Sequence, residues 1–260
     1  MRLDVVIPAH NEEQRIGRTL SAYRRVCSED DVRFIVALDD CVDDTERVVR
    51  RHMVEDPRVQ GLNFTKLGKG GVIMETFRRC DADLIGFVDA DCATPPAEFL
   101  RLVDAAERAD GAIASRYHPA SVIPGRRPFA RRMASAAFAR LIRRAFKLPF
   151  SDTQCGAKVL RREVVHASLP FVASRDFLFD VDLLYVARRI GYRIVEVPTI
   201  WVEREGSRVS AGSDGRRMAA SALRLWLHHK VIPFPERTEP TGTPTELSRA
   251  DDRPRVGAPV

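Results

Sequence analysis

The sequence predicts an α/β fold with a mostly parallel central sheet flanked by helices. Two observations carry that prediction: short β-rich runs alternate with helical patterns through the first half of the chain, and polar clusters follow several of the runs. Residues 3–7, 32–38, 84–88 and 111–115 read as strands, with a weaker strand signal at 61–65. Between them, residues 12–26, 43–54, 70–80 and 95–109 read as helices. The last of these starts at a Thr94 N-cap with Pro95 in the first helical position and Glu98 in the first turn. The second half predicts a basic helix over 128–147, a Gly-containing stretch over 152–158, a helix at 179–190, a β-rich run over 193–202 and a final helix over 214–230. From Pro233 onward there are six prolines in 28 residues and almost no large apolar side chains, so residues 1–232 are expected to form one domain and 233–260 a disordered tail.

The composition excludes several classes. The 260 residues are 45% hydrophobic and 30% charged, an ordinary balance for a globular chain with a sizeable core. The longest stretch free of Asp, Glu, Lys and Arg is the 11 residues from Val164 to Ser174, well short of the roughly 18–20 apolar residues of a spanning helix. The opening run is too short and contains Asp4, unlike a signal peptide, so a cytoplasmic location is expected. The five cysteines are widely spaced with no C-x-x-C pair, which makes reduced, unligated thiols the expectation. Net charge is +6, yet Arg116 to Lys147 holds nine basic residues and no acid. That concentrated positive field points to an anionic partner: phosphate groups, a membrane surface or nucleic acid. No helix-turn-helix, zinc-finger or RNP pattern accompanies it, so nucleic acid is not expected. A solvated basic face is the plainer alternative, and a membrane-surface or phosphate-binding helix the functional one.

In an open α/β sheet, ligands bind beyond the carboxyl ends of the strands. There the sequence places Pro8-Ala9-His10-Asn11-Glu12-Glu13, then Asp39-Asp40-Cys41-Val42-Asp43-Asp44-Thr45, then Asp89-Ala90-Asp91. Residues i and i+2 of an extended chain point the same way, so Asp89 and Asp91 can offer two hard oxygen ligands to Mg²⁺ or Mn²⁺ shared with substrate phosphates. A lone Asp-x-Asp more often caps a helix, but three polar clusters on one sheet edge favour the metal. Asp43 is expected to cap the following helix, and Asp39 and Asp40 to hydrogen-bond a base or ribose. Gly68-Lys69-Gly70-Gly71 opens a helix where backbone N–H groups and a lysine can meet a phosphate. It fits neither G-x-G-x-x-G nor the P-loop pattern, whose upstream glycine is Asn63 here, which argues against a dinucleotide dehydrogenase and a P-loop NTPase.

Taken together, these motifs resemble those of the inverting GT-A glycosyltransferases, and among them the polyprenyl- and dolichyl-phosphate sugar synthases, the dolichol-phosphate mannosyltransferase type. The match begins with Val5-Val6-Ile7-Pro8-Ala9-His10-Asn11-Glu12-Glu13 and continues through Asp39 to Thr45, Gly68-Lys69-Gly70, and Phe87-Val88-Asp89-Ala90-Asp91 with Thr94-Pro95-Pro96. It goes on through Ser115-Arg116-Tyr117, Asp152-Thr153-Gln154-Cys155-Gly156, Phe179-Asp180-Val181-Asp182 and Gly206-Ser207-Arg208, covering roughly residues 3 to 210. The resemblance implies a GT-A fold and a metal-dependent transfer of a hexose from GDP-mannose or UDP-glucose to a polyprenyl or dolichyl phosphate. It also implies that Pro8, Ala9, Asn11, Glu12, Asp39, Asp40 and Lys69 surround the nucleotide, with Ala90 beside the ribose. Asp89 and Asp91 would hold Mg²⁺ or Mn²⁺ on the diphosphate, Arg116, Arg131 and Arg208 would bind donor or acceptor phosphates, and Asp152 with Gln154 would lie at the reacting centre. Two positions depart from the pattern: His10 stands where an aromatic is common and Cys41 where glycine is common. The membrane helices that many relatives carry at the C-terminus are missing here, so membrane contact is expected to be peripheral or to come from a partner. The alternatives are the same donor chemistry with a hydroxyl acceptor, for which Asp152 would serve as base, and a non-catalytic peripheral membrane-binding module.

Overall fold

The computed structural model describes residues 1–27, 31–124, 129–202 and 213–234. A seven-stranded sheet runs through the domain in the order β3-β2-β1-β4-β6-β5-β7. Its strands are β1 (Leu3–Ala9), β2 (Val32–Asp39), β3 (Val59–Phe64), β4 (Leu84–Val88), β5 (Gly111–Ser115), β6 (Ala157–Arg161) and β7 (Ile194–Pro198). All neighbours pair parallel except β6, which is antiparallel to both β4 and β5. The helices are α1 (Ile16–Val26), α2 (Thr45–Glu55), α3 (Gly68–Phe77), α4 (Pro96–Ala106), α5 (Phe129–Ala145), α6 (Arg162–Ser168), α7 (Phe179–Ile190) and α8 (Ser213–Val231). Among the described residues no helix is long and apolar enough to cross a membrane.

Alternation along the strands builds two cores. On β1, Val6 faces one side, packing with Ile35, Phe87 and the helices α3, α6, α7 and α8. Val5 and Ile7 face the other, with Phe34, Val36 and the helices α1 and α4. Strands covered on both faces are apolar nearly throughout, and β4 and β5 are buried at every position. The register pairs Ala9 with Leu38, so β1 and β2 end side by side and deliver their polar clusters to one edge. Chain order runs outward from β1 to β2 and β3 on one side and resumes with β4 on the other. The crevice at that switch point is where such sheets bind ligands.

Three details differ from expectation. β6 and α6, one following directly on the other, take the place of an unassigned Gly-containing stretch. α1 starts at Ile16 rather than residue 12, because the Glu12 carboxylate takes the Arg15 guanidinium at 2.6 and 2.8 Å and the segment between them forms a turn. α4 starts one residue later than read: Pro95 is its N-cap and Pro96 its first residue, while the Thr94 carbonyl accepts the Tyr23 hydroxyl at 2.8 Å. Phe234 still packs on Phe171 and Tyr185. The expected tail from residue 235 on, Arg208 and the Arg131 side chain lie outside the described residues.

Candidate active site

The site assembles at the carboxyl ends of β1, β2 and β4. After β1, Asn11 adopts a left-handed φ of 53°, and its Oδ1 accepts the Val42 N–H at 2.8 Å, tying the first loop to the second. His10 Nδ1 donates to the Asp39 carbonyl at 2.5 Å. Ala9 is buried and its carbonyl accepts the Cys41 thiol at 3.5 Å, while Pro8 is half-buried beside it. Asp43 accepts the Thr45 N–H at 3.0 Å, the Thr45 hydroxyl at 2.5 Å and the Glu13 N–H at 3.2 Å, but the N-cap of α2 is Asp44 rather than the expected Asp43. Thr45 in turn accepts the Glu12 N–H at 2.6 Å.

Asp39 and Asp40 part company. The Asp39 carboxylate, buried, accepts the N–H groups of Leu67 and Gly68 at 2.8 and 2.9 Å, so it holds the glycine-lysine-glycine turn from below. Asp40, with φ 51°, is exposed at the end of β2. Gly68 has φ 77°, a conformation that glycine adopts without strain. At Gly70 a Cβ would stand 2.6 Å from the Phe179 Cβ and 2.8 Å from the Asp176 carbonyl oxygen, so only glycine lets residues 173–178 close onto the turn.

Lys69 reaches out of that turn to Asp89 Oδ1 at 2.6 Å. Burial alone would lower its pKa, but Asp89, Asp180 and Asp91 outweigh it and hold the ammonium charged well above the ordinary lysine range. Asp89 rests on Gly156, where a Cβ would fall 1.8 Å from its Oδ2. Asp91 accepts the Ala93 N–H at 2.9 Å, and burial followed by the neighbouring Asp89 raises its carboxyl above the usual range. Ala90 between them is buried, its carbonyl taking the Thr19 hydroxyl at 2.7 Å. Two adjacent carboxylates that repel each other at a strand end fit a divalent cation. No third His, Cys, Asp or Glu joins them among the described residues, so the remaining ligand positions would fall to phosphate oxygens and water, the habit of Mg²⁺ and Mn²⁺.

The second half of the site comes from β5 and the segment before β6. Arg116 donates through Nε and Nη2 to the two oxygens of Asp152 at 2.7 and 3.0 Å, and its backbone N–H adds a third bond at 3.0 Å. The guanidinium also lies 5.6 Å from the Trp201 ring centroid. Burial would raise the Asp152 carboxyl, but the Arg116 charge and hydrogen bonds win and hold it below the usual carboxylate range. Gln154 donates its backbone N–H to Asp152 at 3.2 Å and its side-chain amide to the Phe177 carbonyl at 3.3 Å, linking Asp152 to loop 173–178.

Of the expected site residues, Asn11 and Glu12 tie the loop after β1 to the loop after β2, Asp39 ties β2 to the Gly68 turn, and Lys69 ties that turn to Asp89. Arg116 and Asp152, read with separate roles, are each other's partner. Sequence reasoning assigned no role to Lys158 or Glu196. Lys158, 1% exposed, donates to Asp180 Oδ1 at 2.6 Å and to the Cys155 carbonyl at 2.7 Å, pinning the segment that carries Asp152 and Gln154. Glu196 accepts the N–H groups of Ser151 and Asp152 at 2.9 Å. The available signal for Lys158 was a lysine inside the apolar run 157–160.

Comparison with known proteins places the chain in a family and shows its fold. The sequence profile described as Glycosyl transferase family 2 matches residues 4–169. Undecaprenyl-phosphate mannosyltransferase of Micrococcus luteus is 33% identical over 222 residues, covering 83% of this chain and 90% of its own. A dolichyl-phosphate beta-glucosyltransferase of Dictyostelium discoideum is 28% identical, with 86% of this chain and 73% of its own covered. Glycosyltransferase AglD of Haloferax volcanii is 30% identical over 90% of this chain, which spans only 38% of that longer protein. Among solved structures, glucosyl-3-phosphoglycerate synthase from Mycobacterium tuberculosis, in complex with Mn²⁺, uridine diphosphate and glucosyl-3-phosphoglycerate, superposes with a TM-score of 0.65 at 19% identity. The match covers 89% of this chain and 81% of that one, and it shows the shared fold.

Proposed function

Because this chain belongs to glycosyl transferase family 2, we propose that it transfers a hexose from a nucleotide-diphosphate sugar to a polyprenyl or dolichyl phosphate. The observation that carries the choice of acceptor is the state of Asp152. A hydroxyl acceptor needs a general base near the reacting centre, with a pKa close to the working pH. Asp152 is instead locked by Arg116 and held below the usual carboxylate range, a poor proton acceptor. A lipid monophosphate arrives already anionic and needs orientation rather than deprotonation. The relatives named for undecaprenyl-phosphate mannose and dolichyl-phosphate glucose transfer support the same acceptor class.

In the reaction, an acceptor phosphate oxygen bonds to the anomeric carbon, the bond from that carbon to the diphosphate oxygen breaks, and the nucleoside diphosphate leaves with the electron pair. Asp89 and Asp91 would hold Mg²⁺ or Mn²⁺, which supplies charge neutralisation for the leaving diphosphate. Lys69 adds a cation on the same carboxylate. Asp40 and the Asn11 loop line the nucleotide side, and Asp152 and Gln154 orient the sugar or the acceptor. The work is done at the membrane surface, reached peripherally from the cytoplasmic face, with GDP-mannose or UDP-glucose as donor.

The test is transfer of radiolabelled sugar from GDP-mannose or UDP-glucose into organic-extractable product, with a polyprenyl phosphate in detergent, comparing Mn²⁺ with EDTA. Metal-dependent label in the lipid phase is expected with one of the two donors. Tight donor binding with no lipid label from either would overturn the acceptor assignment.

A further inference from the structure

Asp89 and Asp91 bring two negative charges to the end of β4, and one cation meets them. The Lys69 ammonium lies 2.6 Å from Asp89 Oδ1, and neither carboxylate has another ion-pair partner among the described residues. An ammonium at that distance and a divalent cation compete for the same oxygen, and their charges repel. The turn that carries Lys69 has little else to offer a diphosphate. Leu67 and Gly68 spend their N–H groups on Asp39 at 2.8 and 2.9 Å, and Gly71 spends its own on the Arg175 carbonyl at 3.1 Å. The phosphate contact expected of this turn therefore passes from its backbone to the Lys69 side chain.

The surroundings decide what happens when Lys69 leaves Asp89. Its side chain is 25% exposed and lies 5.9 Å from the Phe87 ring centroid, so an ammonium without a counterion is costly there. Asp180 and Asp91 are the other carboxylates whose charges act on it. Asp180 is spent on Lys158 at 2.6 Å, and Asp91 belongs to the metal pair itself. A metal ion arriving alone would strand the ammonium, whereas a diphosphate arriving with the metal gives it a new partner. We propose that Lys69 is a stand-in for the divalent cation, held on Asp89 until the metal takes that carboxylate and then handed to the diphosphate of the nucleotide sugar. The inference rests on the metal and donor chemistry proposed above. By this exchange metal and donor bind tightly only together, and both cations end beside the leaving diphosphate.

Calorimetry on the full chain measures Mn²⁺ affinity alone and with saturating GDP or UDP, for wild type, Lys69→Met and Lys69→Gln, with thermal melting as the check on folding. Without nucleotide, both variants should bind Mn²⁺ roughly tenfold more tightly than wild type, the order of one charge-assisted hydrogen bond. With nucleotide that gain should vanish, and nucleotide affinity at saturating Mn²⁺ should fall by a similar factor. Side-chain NMR with diamagnetic Mg²⁺ reads the same event in the wild type. The Lys69 signal should move when Mg²⁺ and nucleotide are added together and much less with either alone. A gain in Mn²⁺ affinity of equal size with and without nucleotide would show that Lys69 repels the metal from one fixed place, and overturns the exchange. Unchanged or weaker Mn²⁺ binding in both variants overturns it as well. Nucleotide binding that Mn²⁺ fails to strengthen in the wild type overturns the metal reading, and the exchange with it.

Discussion

Gly156 shows how narrowly the Asp89 carboxylate is set. Its Cα hydrogen occupies the place into which Asp89 leans, and a methyl there would sit 1.8 Å from Asp89 Oδ2. Gly156 also accepts the Asp89 N–H through its carbonyl at 3.1 Å, so the backbone on which a methyl would push is itself part of the support. Gly156→Ala should therefore displace Asp89 without touching either core. The expected outcome is a roughly 100-fold drop in kcat, the scale of a displacement of about 1 Å at a reacting centre, together with a weaker dependence of nucleotide binding on Mn²⁺. Titration calorimetry with and without Mn²⁺ checks the second, and a variant with normal metal-dependent nucleotide binding would show that Asp89 can move aside freely. At this scale the site was partly legible: the polar cluster after β4 was readable, but β4 ends at Val88 and Ala90 and Asp91 lie in a turn, so the extended-chain spacing expected for Asp89 and Asp91 does not apply. Asp39 escaped that reading because its partners, the Leu67 and Gly68 N–H groups, lie 28 and 29 residues on.

Elements are tied across the site by buried ion pairs. Lys158 on β6 and Asp180 in the first turn of α7 are 1% and 5% exposed and bonded at 2.6 Å. A buried pair of this kind contributes little net stability against well-packed apolar residues, yet losing one partner strands a charge. Lys158→Met should cost about 3–5 kcal/mol, seen as a fall of roughly 10 °C in melting temperature, and Lys158→Met with Asp180→Leu should recover most of it. Activity should stay impaired in the double variant, since Lys158 also holds the Cys155 carbonyl and with it the Asp152–Gln154 segment. Full activity in the double variant would show that the pair only fills space. The same strand explains where legibility at this scale ended. β1, β2, β4 and β5 were readable because parallel strands covered on both faces are apolar runs with polar clusters after them. β6 is five residues long, carries a lysine at its second position and an arginine at its end, and runs straight into α6, so nothing punctuates it. Its antiparallel pairing between β4 and β5 is set by partners 45 to 77 residues away, such as Ile113 with Lys158 and Leu84 with Arg161, which no local pattern encodes.

Across the whole molecule, charge is unevenly spread: the segment from Arg116 to Lys147 carries nine basic residues and no acid, against a net +6 for the chain. On α5, Ile142 and the following Phe146 are buried in the core beneath α7, whereas Arg140, Arg143 and Arg144 all face solvent. No ion pair is formed by these three among the described residues, so their field is directed outward. Such a face is what an enzyme with a lipid-borne acceptor requires: anionic lipid attracts each basic side chain close to the surface by about 1 kcal/mol, within a Debye length of about 8 Å at physiological salt. Replacing Arg140, Arg143 and Arg144 together by Gln should then weaken binding to phosphatidylserine-containing liposomes by about 3 kcal/mol, on the order of 100-fold, at low ionic strength. The wild-type affinity should fall steeply as salt is raised, and the variant's should fall less. Transfer to a short polyprenyl phosphate in detergent, where no membrane residence is needed, should be unaffected, which separates a loss of membrane residence from a loss of chemistry. Co-sedimentation unchanged by the triple replacement at low salt would assign the positive face to solvation alone.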